Sequence, residues 1–396
     1  MAELVYLLGA GVNQVVTDWD GLKPPLANNF FQMALRSSKF ASEHYLDRVS
    51  SMFDYISQHW KKGIDDLRDT PFNLEDFFTF LQLQINETKP AEDFERYSQL
   101  ATIEFLIESF LAEYLSEFEH FANKSDVMRE FGKVIYRDRE RTCVLTLNYD
   151  CILESLIEQA SGINVNVPQS FPGKPGESVE IPDDELPYSH CNWNRPLAYG
   201  IQFNEVQLHR AGLSTYVAGS RFYSHPSNKL YSWRILKLHG SLNWFRYIPF
   251  RKYPSIDPSG DQLPKNKLEE VLLIRGHWWF IEPPDFQGWL IEPLIITPVL
   301  YKAQFYEHRV FSDIWRQALR ELSTCKRLVV VGYSFAPTDF YVRKLLLDAF
   351  CENSLEDLVV VDPDTSVVQT AKEYSHFSKP VLICRDLEEY LRSCAG

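Results

Sequence analysis

Cysteine is sparse in this chain and never paired at short range. The seven residues, at 143, 151, 191, 325, 351, 384 and 394, include no Cys-x-x-Cys spacing. A zinc ribbon is therefore excluded, and an odd, scattered set does not read as a disulfide framework. Long apolar runs are missing too: none approaches the roughly 20 residues of a membrane-spanning helix, so no such helix is expected. Basic residues are outnumbered, 40 Lys and Arg against 54 Asp and Glu, for a formal net charge of −14. That balance repels phosphodiester backbones on average, and the basic clusters are short, such as Arg137-Asp-Arg-Glu-Arg141. Direct binding to nucleic acid is not expected. The first residues enter the run Leu4-Val-Tyr-Leu-Leu8 without a basic leader or small-residue cleavage site, so a cytoplasmic protein is expected.

What is present is an ordinary globular composition, 45% hydrophobic and 24% charged, over 396 residues. That length predicts one large nucleotide-binding core carrying sizeable insertions, or two domains. A strand over residues 3–8 runs into the tight turn Gly9-Ala-Gly11. From Asn28 to about Arg141 apolar residues recur three or four apart, as in Phe77, Phe78, Phe80, Leu81 and in Phe105, Leu106, Phe110, Leu111, Tyr114, Leu115. This spacing predicts a bundle of helices whose aromatic stripe is core.

Strand character returns at Thr142–Leu147 and gives way to a helix that includes Ile152, Leu153, Leu156 and Ile157. Residues 161–230 are rich in Pro, Gly, Ser and Asn and read as an irregular insertion of short strands and loops; 246–290, with Trp278-Trp279, reads as a mixed one. Further strands are expected at Arg234–Leu238 before His239-Gly240, and at Leu294-Ile-Ile296 before Thr297-Pro298. A helix is expected over about 305–323, then buried strands at Arg327–Gly332 and Leu358–Asp362, with Thr338 or Asp339 capping the helix between them. Apolar strands alternating with helices predict an α/β protein with a parallel sheet, built from residues 1–27, 141–160, 231–245 and 291–396, with 28–140 as a helical insertion.

Parallel sheets bind ligands at the carboxyl ends of their strands, so the polar residues just after each strand are the candidates. In Gly9-Ala10-Gly11, with Asn13 following, backbone N–H groups can meet a pyrophosphate or simply form a tight turn. Asp362 can bind a ribose hydroxyl or cap a turn. His239 sits where an imidazole can act near neutral pH, although a lone histidine is usually structural.

The ordered set Gly9-Ala-Gly11, Thr146-Leu-Asn148-Tyr-Asp150, Leu238-His239-Gly240, Gly332-Tyr-Ser334 and Val361-Asp362 resembles the sirtuin family. More closely, His239-Gly-Ser-Leu-Asn-Trp244, Thr297-Pro298 with Lys302, and Gly332-Tyr-Ser-Phe-Ala-Pro-Thr-Asp339 look like the sirtuin-like NADases of bacterial antiviral defence. The resemblance covers the core, about half of the chain. Two departures set this sequence apart from deacylating sirtuins. The stretch 241–331 holds only Cys325 where they carry zinc-binding Cys-x-x-Cys pairs, and Asp18-Trp-Asp-Gly-Leu-Lys-Pro-Pro25 replaces their Pro-Asp-Phe-Arg loop.

The resemblance implies a sirtuin-like Rossmann fold and hydrolysis of NAD at its nicotinamide–ribose bond, without a metal. Asn148 and His239 would be catalytic, with Gly9, Ala10, Gly11, Asn13, Asp150, Gly332, Ser334 and Asp362 at the NAD site. Asp150 has a second reading, as an N-cap of the helix beginning near Ile152. The resemblance also implies a homo-oligomer working with a HerA-type ATPase, with residues 28–140 as the candidate assembly surface or an inert shell. An NAD-dependent deacylase and a silent NAD or ADP-ribose sensor are the alternative functions.

Overall fold

The computed structural model describes residues 2–161, 199, 206–210, 213–218, 234–249, 271–273, 285–286, 288–299, 302, 309–353 and 355–394. Among them, the strands in chain order are β1 (Leu4–Leu8), β2 (Thr142–Thr146), β3 (Val206–Arg210), β4 (Leu213–Ala218), β5 (Arg234–Lys237), β6 (Gly240–Pro249), β7 (Val271–Leu273), β8 (Asp285–Phe286), β9 (Gly288–Ile295), β10 (Arg327–Val331), β11 (Asp357–Val361) and β12 (Leu382–Cys384). Six form one sheet in the order β12-β11-β10-β1-β2-β5, every neighbouring pair parallel. The four central strands are buried almost throughout, as Leu-Val-Tyr-Leu-Leu, Thr-Cys-Val-Leu-Thr, Arg-Leu-Val-Val-Val and Asp-Leu-Val-Val-Val require of a sheet covered on both faces. Arg327 pairs in register with Asp357, and their side chains meet at 3.1 Å at the sheet's amino edge. The architecture is α/β and Rossmann-like, a parallel sheet flanked by helices.

Seven helices lie between Phe30 and Arg137, the longest Phe94–Ala122. Three of them start at side-chain caps: Asn73 accepts from the amide of Glu75, Asp93 from Arg96 and Ser125 from Met128. Phe31 packs among Phe30, Phe53, Phe72, Phe77 and Phe110, so the aromatic stripe is core, as its spacing predicts. Phe105 departs from that pattern, being 47% exposed. Helix Asp126–Arg137 packs against helix Ile152–Ser161, where Gly132 lies so close that a Cβ there would come within 2.8 Å of Leu156 Cβ.

Two expectations need correction. The run Leu294–Ile296 does not supply a strand of the parallel sheet: it closes β9, which pairs antiparallel with β6 in a separate three-stranded sheet, β7-β6-β9. The cause is local, because the chain turns back at Gly240 directly after β5 and β6 takes β9 as its partner. Second, neither Thr338 nor Asp339 caps helix Phe340–Phe350 through its side chain: Asp339 binds Lys302, and Thr338 donates to Glu75 Oε1 at 2.9 Å. The span 161–230, expected as short strands and loops, contains among its described residues the antiparallel pair β3 and β4. Its remaining residues 162–198, 200–205, 211–212 and 219–230 fall outside the described set, as do Trp278-Trp279 and 305–308 of the expected helix; the described helix is Arg309–Leu322.

Candidate functional site

The strand order reverses at β1, whose neighbours β10 and β2 lie on opposite sides, so the loops after β1 and β10 diverge at the carboxyl end of the sheet. Those loops pack directly on each other. The Gly11 amide donates to the Gly332 carbonyl at 2.9 Å, and the Gly9 amide to the Val331 carbonyl at 3.0 Å. A Cβ on Gly9 would fall 2.5 Å from the Gly332 oxygen. One on Gly332, whose φ is +58°, would fall 2.2 Å from the Val12 nitrogen. Loop-against-loop packing therefore accounts for these glycines, and the amides of Gly9 and Gly11 are engaged within the protein.

Beside this junction opens a cleft of about 140 Å³. Ala10, Asn13, Asn148, Tyr149 and Asp150 form its sheet side, Pro24, Pro25 and Pro298 its rim, and Leu74, Leu111 and Leu115 of the helical region its far wall. Asn148 is half-buried; its backbone amide donates to Thr146 Oγ1 at 3.1 Å and its Nδ2 to the Gly9 carbonyl at 3.2 Å. The second of these bonds holds the side chain at the cleft, and the first holds its backbone. Buried Asn13 donates to Asp150 Oδ2 at 3.0 Å, while Asp150 Oδ1 accepts the Ile152 amide at 3.1 Å. Asp150 thus serves the helix start and Asn13 together, and burial raises its pKa.

Beneath the loop, Lys237 and Glu154 form an ion pair at 3.0 Å with both side chains inaccessible. Lys237 Nζ also donates to the carbonyls of Tyr149 and Asp150, clamping the backbone that carries Asn148. Burial alone would lower the Lys237 pKa, yet Glu154, Cys151 and Asp150 together more than offset it and the pKa is raised. Lys237→Met, which strands Glu154, is expected to cost about 3–5 kcal/mol in urea unfolding. An unchanged midpoint would contradict this clamp.

His239 ends the segment after β5, and Gly240, at φ +82°, makes the turn that follows; a Cβ there would lie 2.0 Å from the Leu294 carbonyl oxygen. The imidazole is 5% exposed and stacks near the Tyr149 ring, with centroids 6.4 Å apart. Tyr149 in turn donates its hydroxyl to the Ile296 carbonyl at 2.7 Å. Among the described residues, buried Nε2 of His239 has no hydrogen-bond partner; Asp339 Oδ1 lies 3.7 Å away and is bound by Lys302 Nζ. Burial, reinforced by Lys302 and opposed by Asp339, pushes the His239 pKa down to about 3. The ring is therefore neutral at neutral pH.

That shift has a thermodynamic consequence. The folded pKa lies below the unfolded value of 6.5, so the unfolded chain binds more protons between them, and stability is lost as pH falls from 6.5 towards about 3. Relative to His239→Gln, the wild type is expected to lose about 4 kcal/mol by pH 3. Parallel acid-melting curves for the two proteins would refute it.

The structure brings Ala10, Asn13, Asn148 and Asp150 to one cleft. It does not place His239 among the cleft-lining residues; Tyr149, which lines the cleft and stacks near His239, links the two. Gly332, exposed Ser334 and half-buried Asp362 follow β10 and β11 and do not line this cleft either. Asp362 Oδ1 accepts the Asp364 amide at 2.8 Å, the turn-capping alternative. Sequence reasoning missed Tyr149, the proline rim and Glu75. Tyr149 was signalled by its place between Asn148 and Asp150; nothing local marks Glu75, which reaches Thr338 across 263 positions. Among the described residues no cluster of three or more His, Cys, Asp or Glu is placed to hold a metal ion, and no helix is long and apolar enough to cross a membrane. Compared with known proteins, the chain matches no protein-family model and no curated relative.

Proposed function

We propose that this protein hydrolyses NAD to nicotinamide and ADP-ribose, with Asn148 and His239 as its catalytic pair. The observation that carries the reading is Asn148, held by two hydrogen bonds at a cleft on the carboxyl end of a parallel sheet, with a neutral buried histidine after β5, the neighbouring strand. The cleft is the size of a ring rather than of a dinucleotide. Its apolar wall of Leu111, Leu115 and Pro298 suits a nicotinamide ring, and Asn148 suits the attached ribose. Breaking the bond builds positive charge on the ribose, and an amide can bind a hydroxyl or water there without adding charge of its own. His239 takes a proton from water as hydroxide adds to the anomeric carbon, and nicotinamide leaves as a neutral molecule. The proton then passes to solvent.

By the same resemblance, the reaction would deplete NAD in antiviral defence, in a cytoplasmic homo-oligomer acting with a HerA-type ATPase. The helical region is the proposed assembly surface; Leu83, Phe94 and Phe105 are exposed on it. Product analysis with and without the ATPase tests activity and control together: nicotinamide formation that the ATPase leaves unchanged removes the partner from the account. One observation favours a second reading, a silent NAD or ADP-ribose sensor: His239 does not line the cleft. A sensor binds NAD and releases no product. A deacylase would release nicotinamide only with an acyl-lysine peptide present.

A further inference from the structure

We infer that Asp339 is the positioning carboxylate of His239, held in place by Lys302, so that the imidazole takes up its proton beside a buried counter-charge. This deepens the hydrolase reading and rests on it for its kinetic consequence; the electrostatic arrangement stands on geometry. Three side chains from separate parts of the chain meet, with exposures of 5% for His239, 1% for Lys302 and 9% for Asp339. Charges so deeply buried persist only when paired. Lys302 and Asp339 satisfy that condition through Oδ1, and the Tyr333 hydroxyl donates to Oδ2 at 3.4 Å. The carboxylate is thereby fixed from two sides.

The approach from His239 is left open. Nε2 lies 3.7 Å from the same Oδ1, beyond hydrogen-bond distance, and has no other partner among the described residues. A buried polar atom without a partner calls for an explanation, and here one proton supplies it. When His239 takes a proton from water or a ribose hydroxyl, both ring nitrogens become donors. A contraction of less than 1 Å then makes a charge-assisted Nε2–H to Oδ1 bond. No proton moves to Asp339, and the imidazolium later returns its own proton to solvent. Lys302 has the opposite effect, favouring the neutral ring beforehand. Among the described residues, the charged and titratable groups around the imidazole are Lys302, Asp339 and the phenols of Tyr333 and Tyr149, with Glu75 reaching the cluster through Thr338.

The two partners act in opposite senses, and the test uses that opposition. In protein carrying ¹³C- and ¹⁵N-labelled histidine, with the His239 signal assigned by its loss in His239→Gln, ionisation is followed by NMR. In Lys302→Met, His239 ionises at higher pH than in the wild type. In Asp339→Asn it stays neutral down to the lowest pH at which the fold survives. Because Asp339→Asn strands a buried lysine, Lys302→Met/Asp339→Asn serves as the second variant; with the larger opposing charge gone, it also ionises above the wild type. For turnover, Asp339→Asn lowers kcat for NAD loss by about a hundredfold with KM little changed, and Asp339→Glu restores part of it. Titration of His239 that is unmoved in all variants, or moves the same way in both single variants, overturns the inference. If the wild type cleaves no NAD, the hydrolase reading fails, while the NMR titrations still decide whether Asp339 governs His239.

Discussion

Asn148→Ala is expected to lower NAD turnover by at least about a hundredfold while the protein melts within a few degrees of the wild type. The size follows from what one positioned hydrogen-bonding group contributes where charge develops. The small structural cost follows from what the side chain holds, a single bond from Nδ2 to the Gly9 carbonyl, worth about 1 kcal/mol. Asn148→Asp sharpens the result. It keeps the shape, but a carboxylate cannot donate to Gly9, and its charge is placed against that carbonyl. Both variants should lose kcat rather than raise KM, because the amide acts on the ribose as the bond breaks. A variant that retains wild-type NAD loss removes Asn148 from the mechanism and leaves the sensor reading as the better account of the cleft.

The largest effect on stability is expected from Gly332→Ala. At φ +58° an L side chain is strained by about 1–2 kcal/mol. The added methyl would also meet backbone on the facing loop, at 2.2 Å from the Val12 nitrogen and 2.3 Å from the Gly11 carbonyl carbon. Backbone cannot rotate away as a side chain can, so the loops after β1 and β10 must separate, at a total cost on the order of 4 kcal/mol or more. Gly21 provides the internal control. Its φ is +74°, yet nothing lies within 4 Å of a Cβ there, so Gly21→Ala shows the backbone strain by itself. Urea unfolding of the two variants separates strain from collision; equal losses would show that the two loops are not packed as described.

How far this arrangement was legible in the sequence depends on the range of the interaction. The central strands were readable because unbroken apolar runs such as Arg327–Val331 and Asp357–Val361 have few alternatives to a doubly covered parallel sheet. Helices in the 30–137 region were readable from their spacing, and Phe110 and Tyr114 lie where that spacing puts them. Leu294–Ile296 misled because a short apolar run does not reveal whether its partner is parallel or antiparallel; the turn at Gly240 decided the matter. Asp339 looked like a cap because caps are local, whereas the Lys302 side chain that takes its carboxylate is distant in sequence. Gly9, Gly11 and Gly332 were recognised as necessary, but their packing partner is another loop more than three hundred residues away, which no local pattern encodes. The cleft wall contributed by Leu74, Leu111 and Leu115 was hidden for the same reason, since those positions read simply as helix core.

The most direct test is mass spectrometry of NAD incubated with the purified protein, alone and with a HerA-type ATPase as the proposed partner, beside His239→Ala shown by its melting curve to be folded. The account predicts nicotinamide and ADP-ribose in equal amounts from the wild type and neither from the variant. Intact NAD in every wild-type incubation, or the same products at the same rate from His239→Ala, would contradict it.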